Sequence, residues 1–306
     1  MMFRSPALLA ALLVSACTDV NVTQQSNALG GGGPALAANV AAHPTASAFA
    51  PQGVGPAGSN RVGVGSQLVR ASDASLGGAV PEMNRTYSGS VVMLGRTIPL
   101  PAGAWTVVAR GISAATVDPP SLDIAFIRSS GDALTGLLAI YGTPLGRPAS
   151  AGFKVNATCA PAEVITADIA AENPGGDQDC LTVRFFRPVT YRDIRANPLV
   201  HAIIAQLDAR NISAPPVMVG AEVFEADRAH ELRMSGYFNP DAAGIAPDLS
   251  VQRAQSAWAP YNLPKDPQKV AYVERIKAWG ESWRLGLRQL LEERSVPPSA
   301  DMERTP

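Results

Sequence analysis

The stretch from Asp266 to Leu290 constrains the fold more than any other part of this chain. Asp266 followed by Pro267 has the form of a helix cap and opening, and Val270, Val273, Ile276, Trp279, Trp283, Leu287 and Leu290 then recur every three or four residues. Glu274 with Lys277, and Glu281 with Arg284, set opposite charges three residues apart on the other side. A long helix with a single apolar stripe must bury that stripe against another layer. Gly280 and Gly286 each cost such a helix about 1 kcal/mol relative to alanine, so a close packing contact or a helix break belongs there.

Upstream, the apolar pattern changes to short strand-like runs. "SVVML" and "TIPLP" flank Gly95-Arg96, a two-residue hairpin signal, and "AWTVVARGIS", "SLDIAFIRSS", "ALTGLLAIYG" and "CLTVRFFRPV" read as further strands. "VMVGAEVFEADRAHELRMSGYF" reads as a second hairpin, with a helical turn as the alternative for its connection. In "GFKVNATC" the residues Phe153, Val155, Ala157 and Cys159 share one face, which sets Cys159 on the core side. Two shorter helices are expected. One is "PAEVITADIAAEN", opened by Pro161 and stopped by Pro174-Gly175-Gly176; the other is "ANPLVHAIIAQLDARN", capped by Asn197 and opened by Pro198. Together these predict a single α+β domain over residues 83–296, a mostly antiparallel sheet with packed helices, followed by a disordered tail at 297–306.

Composition shifts before that domain. Residues 18–82 hold eleven Gly and five Pro among 65 positions and almost no aromatics, too little apolar surface to offset the entropy of ordering them. A flexible, disordered tether over 17–82 is expected. Its Gly-rich pieces, Gly63 and Gly65 among them, lack the preceding strand, following helix and Lys-Ser/Thr ending of a phosphate cradle, and no cofactor is implied.

The first residues form an export signal. Arg4 supplies the positive charge and Ala7 to Val14 a short apolar run, too short to span a bilayer. "LLVSAC" resembles the lipobox of bacterial lipoproteins. That resemblance implies a signal peptide over 1–16, with Val14, Ser15 and Ala16 as recognition residues. It also implies that Cys17 becomes the first mature residue, its thiol carrying acyl chains that enter membrane lipid. The alternative is ordinary secretory cleavage after Ala16. In Gram-negative lipoproteins an Asp directly after the cysteine holds the protein at the inner membrane. Here Thr18 follows, so the resemblance implies the outer membrane facing the periplasm, with the inner membrane as the alternative. Three cysteines leave an odd one in an oxidising compartment; acylating Cys17 removes it and leaves Cys159 and Cys180 to form a disulfide. Two unpaired thiols or a two-cysteine metal site are the alternatives.

Charge and motif spacing narrow the function. A formal net charge of -1, with 25 basic and 26 acidic residues interspersed, offers no field to attract nucleic acid. No G-x-S-x-G elbow is present; His201 reads as a solvated helix residue and His230 as a turn residue. In "NPGGDQDC", Asp177 and Asp179 are weak candidates for oxygen ligands to a hard cation, but the calcium-loop pattern is incomplete. Glu222, Glu225 and Asp227 read as solvation at a hairpin end. "WAPYNLP", with Trp258 and Tyr261, is either a surface binding loop or a strap over the sheet. The expectation is a lipid-anchored envelope protein of structural or adaptor role with an envelope protein partner. The alternative is an envelope hydrolase or small-ligand-binding lipoprotein whose acidic site is dispersed through the fold.

Overall fold

Alternation in the strand-like runs produces one eight-stranded antiparallel sheet and a separate hairpin. The structure, a computed structural model, describes residues 76, 78–112, 119–154, 159, 164–188, 198–250, 252–292 and 306. All lie in the unit Ala46–Pro306; the other unit, Met1–Thr45, is wholly outside the described residues. The strands are β1 (Thr86–Tyr87), β2 (Ser90–Met93), β3 (Arg96–Pro99), β4 (Trp105–Ile112), β5 (Leu122–Ser130), β6 (Ala133–Gly142), β7 (Thr166–Glu172), β8 (Gln178–Phe186), β9 (Met218–Ala226) and β10 (Glu231–Phe238). The helices are α1 (Pro198–Ala209) and α2 (Pro267–Glu292).

Sheet order is β1-β4-β5-β6-β10-β9-β8-β7, with β2 and β3 forming the separate pair. The meanders β4-β5-β6 and β7-β8-β9-β10 meet where β6 pairs with β10, from Gly142 opposite Leu232 to Gly136 opposite Phe238. The fold is therefore α+β and mostly antiparallel. Because side chains alternate, one face carries Ile124, Phe126, Leu138, Ile140, Val183, Val219, Ala221, Val223 and Met234. That face takes α2 along β8, β9 and β10. The opposite face carries Ala125, Ile127, Met218 and Tyr237 and takes α1 through Ile203 and Leu207.

The stripe on α2 is buried as its period requires, and no break occurs at Gly280. A Cβ at Gly280 would stand 2.6 Å from Leu181 Cδ1 and 2.9 Å from Ala221 Cβ, so the glycine lets the helix sit down on β8 and β9. Asp266 caps the helix, its Oδ1 accepting hydrogen bonds from the backbone N–H of Gln268 and Lys269 at 3.1 and 3.3 Å.

Three local expectations are corrected. The β2–β3 turn is Leu94-Gly95, one residue earlier than Gly95-Arg96, with φ of 57° and 74°. Leucine at positive φ costs about 1–2 kcal/mol, and burying its side chain recovers about as much. The slip also sends Arg96 inward, where its guanidinium donates to Leu290 O at 2.7 Å and Thr143 O at 2.6 Å and so ties the hairpin to the end of α2. The helix expected from Pro161 to Asn173 is instead β7 from Thr166 onward, because pairing with β8 satisfies its backbone and overrides an alanine-rich propensity. Finally, Leu76 is buried in the main core and Val80 packs against it, so the folded body begins before residue 83.

In the run from Phe153, residues 155–158 lie outside the described residues, as do Asn197 and 297–305. Cys159 and Cys180 are paired at disulfide distance, Cα atoms 5.6 Å apart, and buried with Phe153, Phe224 and Ala226. Closing a loop of this length is worth about 3 kcal/mol in the chain-entropy model. The Cys159→Ser/Cys180→Ser double variant is therefore expected to lose about that much in urea unfolding. An unchanged midpoint would show that no bond joins the two sulfurs in the protein.

Candidate functional site

Antiparallel pairing of β8 with β9 sets Asp179 directly opposite Glu225, on the face that α2 covers. Glu225 follows Val219, Ala221 and Val223 in the inward-facing period of β9, and Asp179 precedes Leu181 and Val183 in that of β8. Both carboxylates are thus carried into the core by their registers, with side chains only 3% and 5% exposed. Two arginines of α2, one helical turn apart, come down on them. Arg284 Nε donates to Asp179 Oδ1 and stands 4.0 Å from Glu225 Oε1, while its Nη1 donates to Asp168 Oδ2 of β7 at 2.9 Å. Arg288 Nη2 pairs with Asp179 Oδ2, and its Nε lies 3.5 Å from Glu225 Oε2.

The two acids are treated unequally. Asp179 has a guanidinium on each oxygen, whereas Glu225 Oε1 is buried without a hydrogen bond. Burial pushes the Glu225 carboxyl up to about 8, with Arg284 opposing the rise. At neutral pH Glu225 therefore carries a proton beside the clamped Asp179. Alongside lies a cavity of about 440 Å³, lined by Glu225, Asp179 and Arg288 together with Asp177, Asp227 and Glu292. Arg288 is half-exposed at its edge.

The opposite face of the sheet carries a second polar group. Asp123, Tyr141 and Arg233 are register neighbours across β5, β6 and β10. Tyr141 donates to Glu231 Oε1 at 2.6 Å, and the Arg233 guanidinium lies 5.3 Å from the Tyr141 ring centre. Burial raises the Tyr141 phenol and the Asp123 and Glu231 carboxyls above their ordinary values. Glu222 accepts from Tyr237 and, at 3.2 Å, from Arg184. These contacts join one strand to the next and are the ordinary cross-strand use of charge.

The residues singled out from sequence fall differently. Asp179 is committed to two arginines and Asp177 lines the cavity, so the pair is not arranged as cation ligands. Among the described residues no three His, Cys, Asp or Glu side chains are grouped to hold a metal ion. Glu225 is a buried member of the ion-pair group rather than hairpin-end solvation. Trp258 is a core residue, 5.8 Å from the Tyr272 ring and under the Lys269 ammonium, while Tyr261 is exposed; the stretch is a strap, and its two aromatics do not converge on one surface. His201 is exposed on α1, and His230 Nε2 lies 3.1 Å from Leu145 O. Val14, Ser15, Ala16 and Cys17 lie outside the described residues. Glu225, Arg284 and Arg288 were not recognised from sequence as one site. The signals were there: an acid in the apolar period of a strand, and two arginines at i and i+4 beside the helix stripe.

Comparison with protein-family models, with curated proteins and with solved structures finds no match to this chain.

Proposed function

We propose that this chain is a lipid-anchored protein of the bacterial cell envelope that works by binding, as an adaptor, with the acid-lined cavity at the end of α2 as its recognition site. The observation that carries the binding reading is the cavity itself. Five of its lining residues are carboxylic acids, and Arg288 is the one cation among those lining it. Asp179 has both oxygens engaged, which suits recognition better than nucleophilic or base chemistry. The anchor follows from "LLVSAC" at 12–17, and Thr18 after Cys17 favours the outer membrane facing the periplasm.

An envelope hydrolase is the second reading, favoured by one feature: a glutamic acid kept protonated at neutral pH beside a carboxylate. It requires Asp179 to be released by both arginines before it can act.

Attachment is tested in cells. Labelled palmitate is expected to enter the wild-type chain and not Cys17→Ala, and the variant is expected to leave the membrane fraction. Unchanged labelling and fractionation of Cys17→Ala would overturn the anchor.

A further inference from the structure

We infer that the cavity at the end of α2 is a recognition site for a guanidinium group, on a partner's arginine or a small ligand, which takes the place of the Arg288 guanidinium beside Asp179 and Glu225. This rests on the binding reading above and names its ligand class. Arg288 displays the chemistry: a guanidinium bridges the two carboxylates while its side chain stays 52% exposed. Arg288 is open to water on one side, unlike Arg284, which is fixed from behind by Asp168.

Two further observations point to an incoming group. Glu225, a lining residue whose side chain is only 3% exposed, has one oxygen, Oε1, that accepts no hydrogen bond. A planar fork of five N–H donors matches a carboxylate with a free oxygen better than a spherical ammonium does. Asp177, Asp227 and Glu292 add negative charge to the lining, in which Arg288 is the one basic residue. Facing Glu225 are Asp179 from β8, Arg284 and Arg288 from α2, and Leu232 from β10, with Asp168 of β7 behind Arg284.

Calorimetric titration of the full-length chain in detergent with methylguanidinium tests this, with methylurea as the neutral probe of similar shape. Saturable binding of methylguanidinium and none of methylurea is expected. Arg288→Ala is expected to bind at least tenfold more tightly and Glu225→Gln at least tenfold more weakly. Equal affinity of wild type and Glu225→Gln would overturn the site. So would binding by Arg288→Ala without binding by wild type, since Arg288 would then be a fixed structural partner. Should Glu225→Gln fail to fold, the comparison of wild type with Arg288→Ala decides alone, because Arg288 is half-exposed. Loss of the guanidinium site with Cys17-dependent attachment intact would refute this inference and leave the anchor standing.

Discussion

Arg284→Ala is expected to lower the stability of the folded domain by about 3–5 kcal/mol, the range for removing one partner from a buried ion-pair group. The arginine side chain is 12% exposed and touches three carboxylates from three strands, Asp168, Asp179 and Glu225. Taking it away leaves Asp179 with the half-exposed Arg288 alone. The same change at Arg288 is expected to cost far less, because water already solvates much of that side chain. Urea unfolding of the two variants side by side checks this. Equal losses would mean that Arg284 is not the central cation of the group.

Proton binding adds a signature that simple loss of packing lacks. Burial raises Glu225 from 4.5 to about 8, so between those values the folded chain holds a proton that the unfolded chain has released. The resulting stability is fully present below about pH 4.5 and is lost as pH rises through about 8. Asp123 and Glu231, also raised by burial, act in the same direction. Glu225→Gln is therefore expected to change steadily in stability relative to wild type, in its favour, between pH 5 and pH 8 and to level off above. A constant difference across that range would show that Glu225 ionises as an ordinary exposed acid.

Trp283→Ala is the other large effect, again about 3–5 kcal/mol, from lost burial and the void left behind. Trp283 is fully buried on the inner side of α2, 5.9 Å from the Trp279 ring, which itself stacks edge-on against Phe238 at 5.0 Å. Glycines make room for this cluster: the Trp279 ring occupies the space a Cβ at Gly236 would need. Trp283→Phe is expected to cost much less than alanine, because the indole N–H has no acceptor in the core and its removal leaves no partner stranded. Differential scanning calorimetry of the two variants makes the comparison. A phenylalanine variant as unstable as the alanine one would mean that the N–H is bonded in solution.

The readability of the fold followed the range of the interactions involved. α2, the β9–β10 hairpin and α1 were legible because a period of 3.6 or 2 is a local consequence of which face is buried. β7 was not: "TADIAAE" has no strand alternation, and only the neighbouring β8 makes it a strand. The Leu94-Gly95 turn likewise depends on where Leu94 and Arg96 find burial and carbonyl partners, at Thr143 just after β6 and at Leu290 in α2, far away in sequence.

The candidate site divides in the same way. Sequence by itself determined that the chain has an amphipathic final helix, strands that alternate, two cysteines left over once Cys17 is set aside, and an amino-terminal motif resembling the lipobox. Glu225, by contrast, read as hairpin-end solvation until the register of β8 with β9 placed it inward. Only the tertiary structure decided that Asp179 stands opposite Glu225 and that the inward side of both strands meets the arginine side of α2. The physical reason is distance along the chain. Strand register and helix docking bring Asp168, Asp179, Glu225, Arg284 and Arg288 together across more than a hundred residues, and charge placement on each segment alone is indistinguishable from a solvated surface.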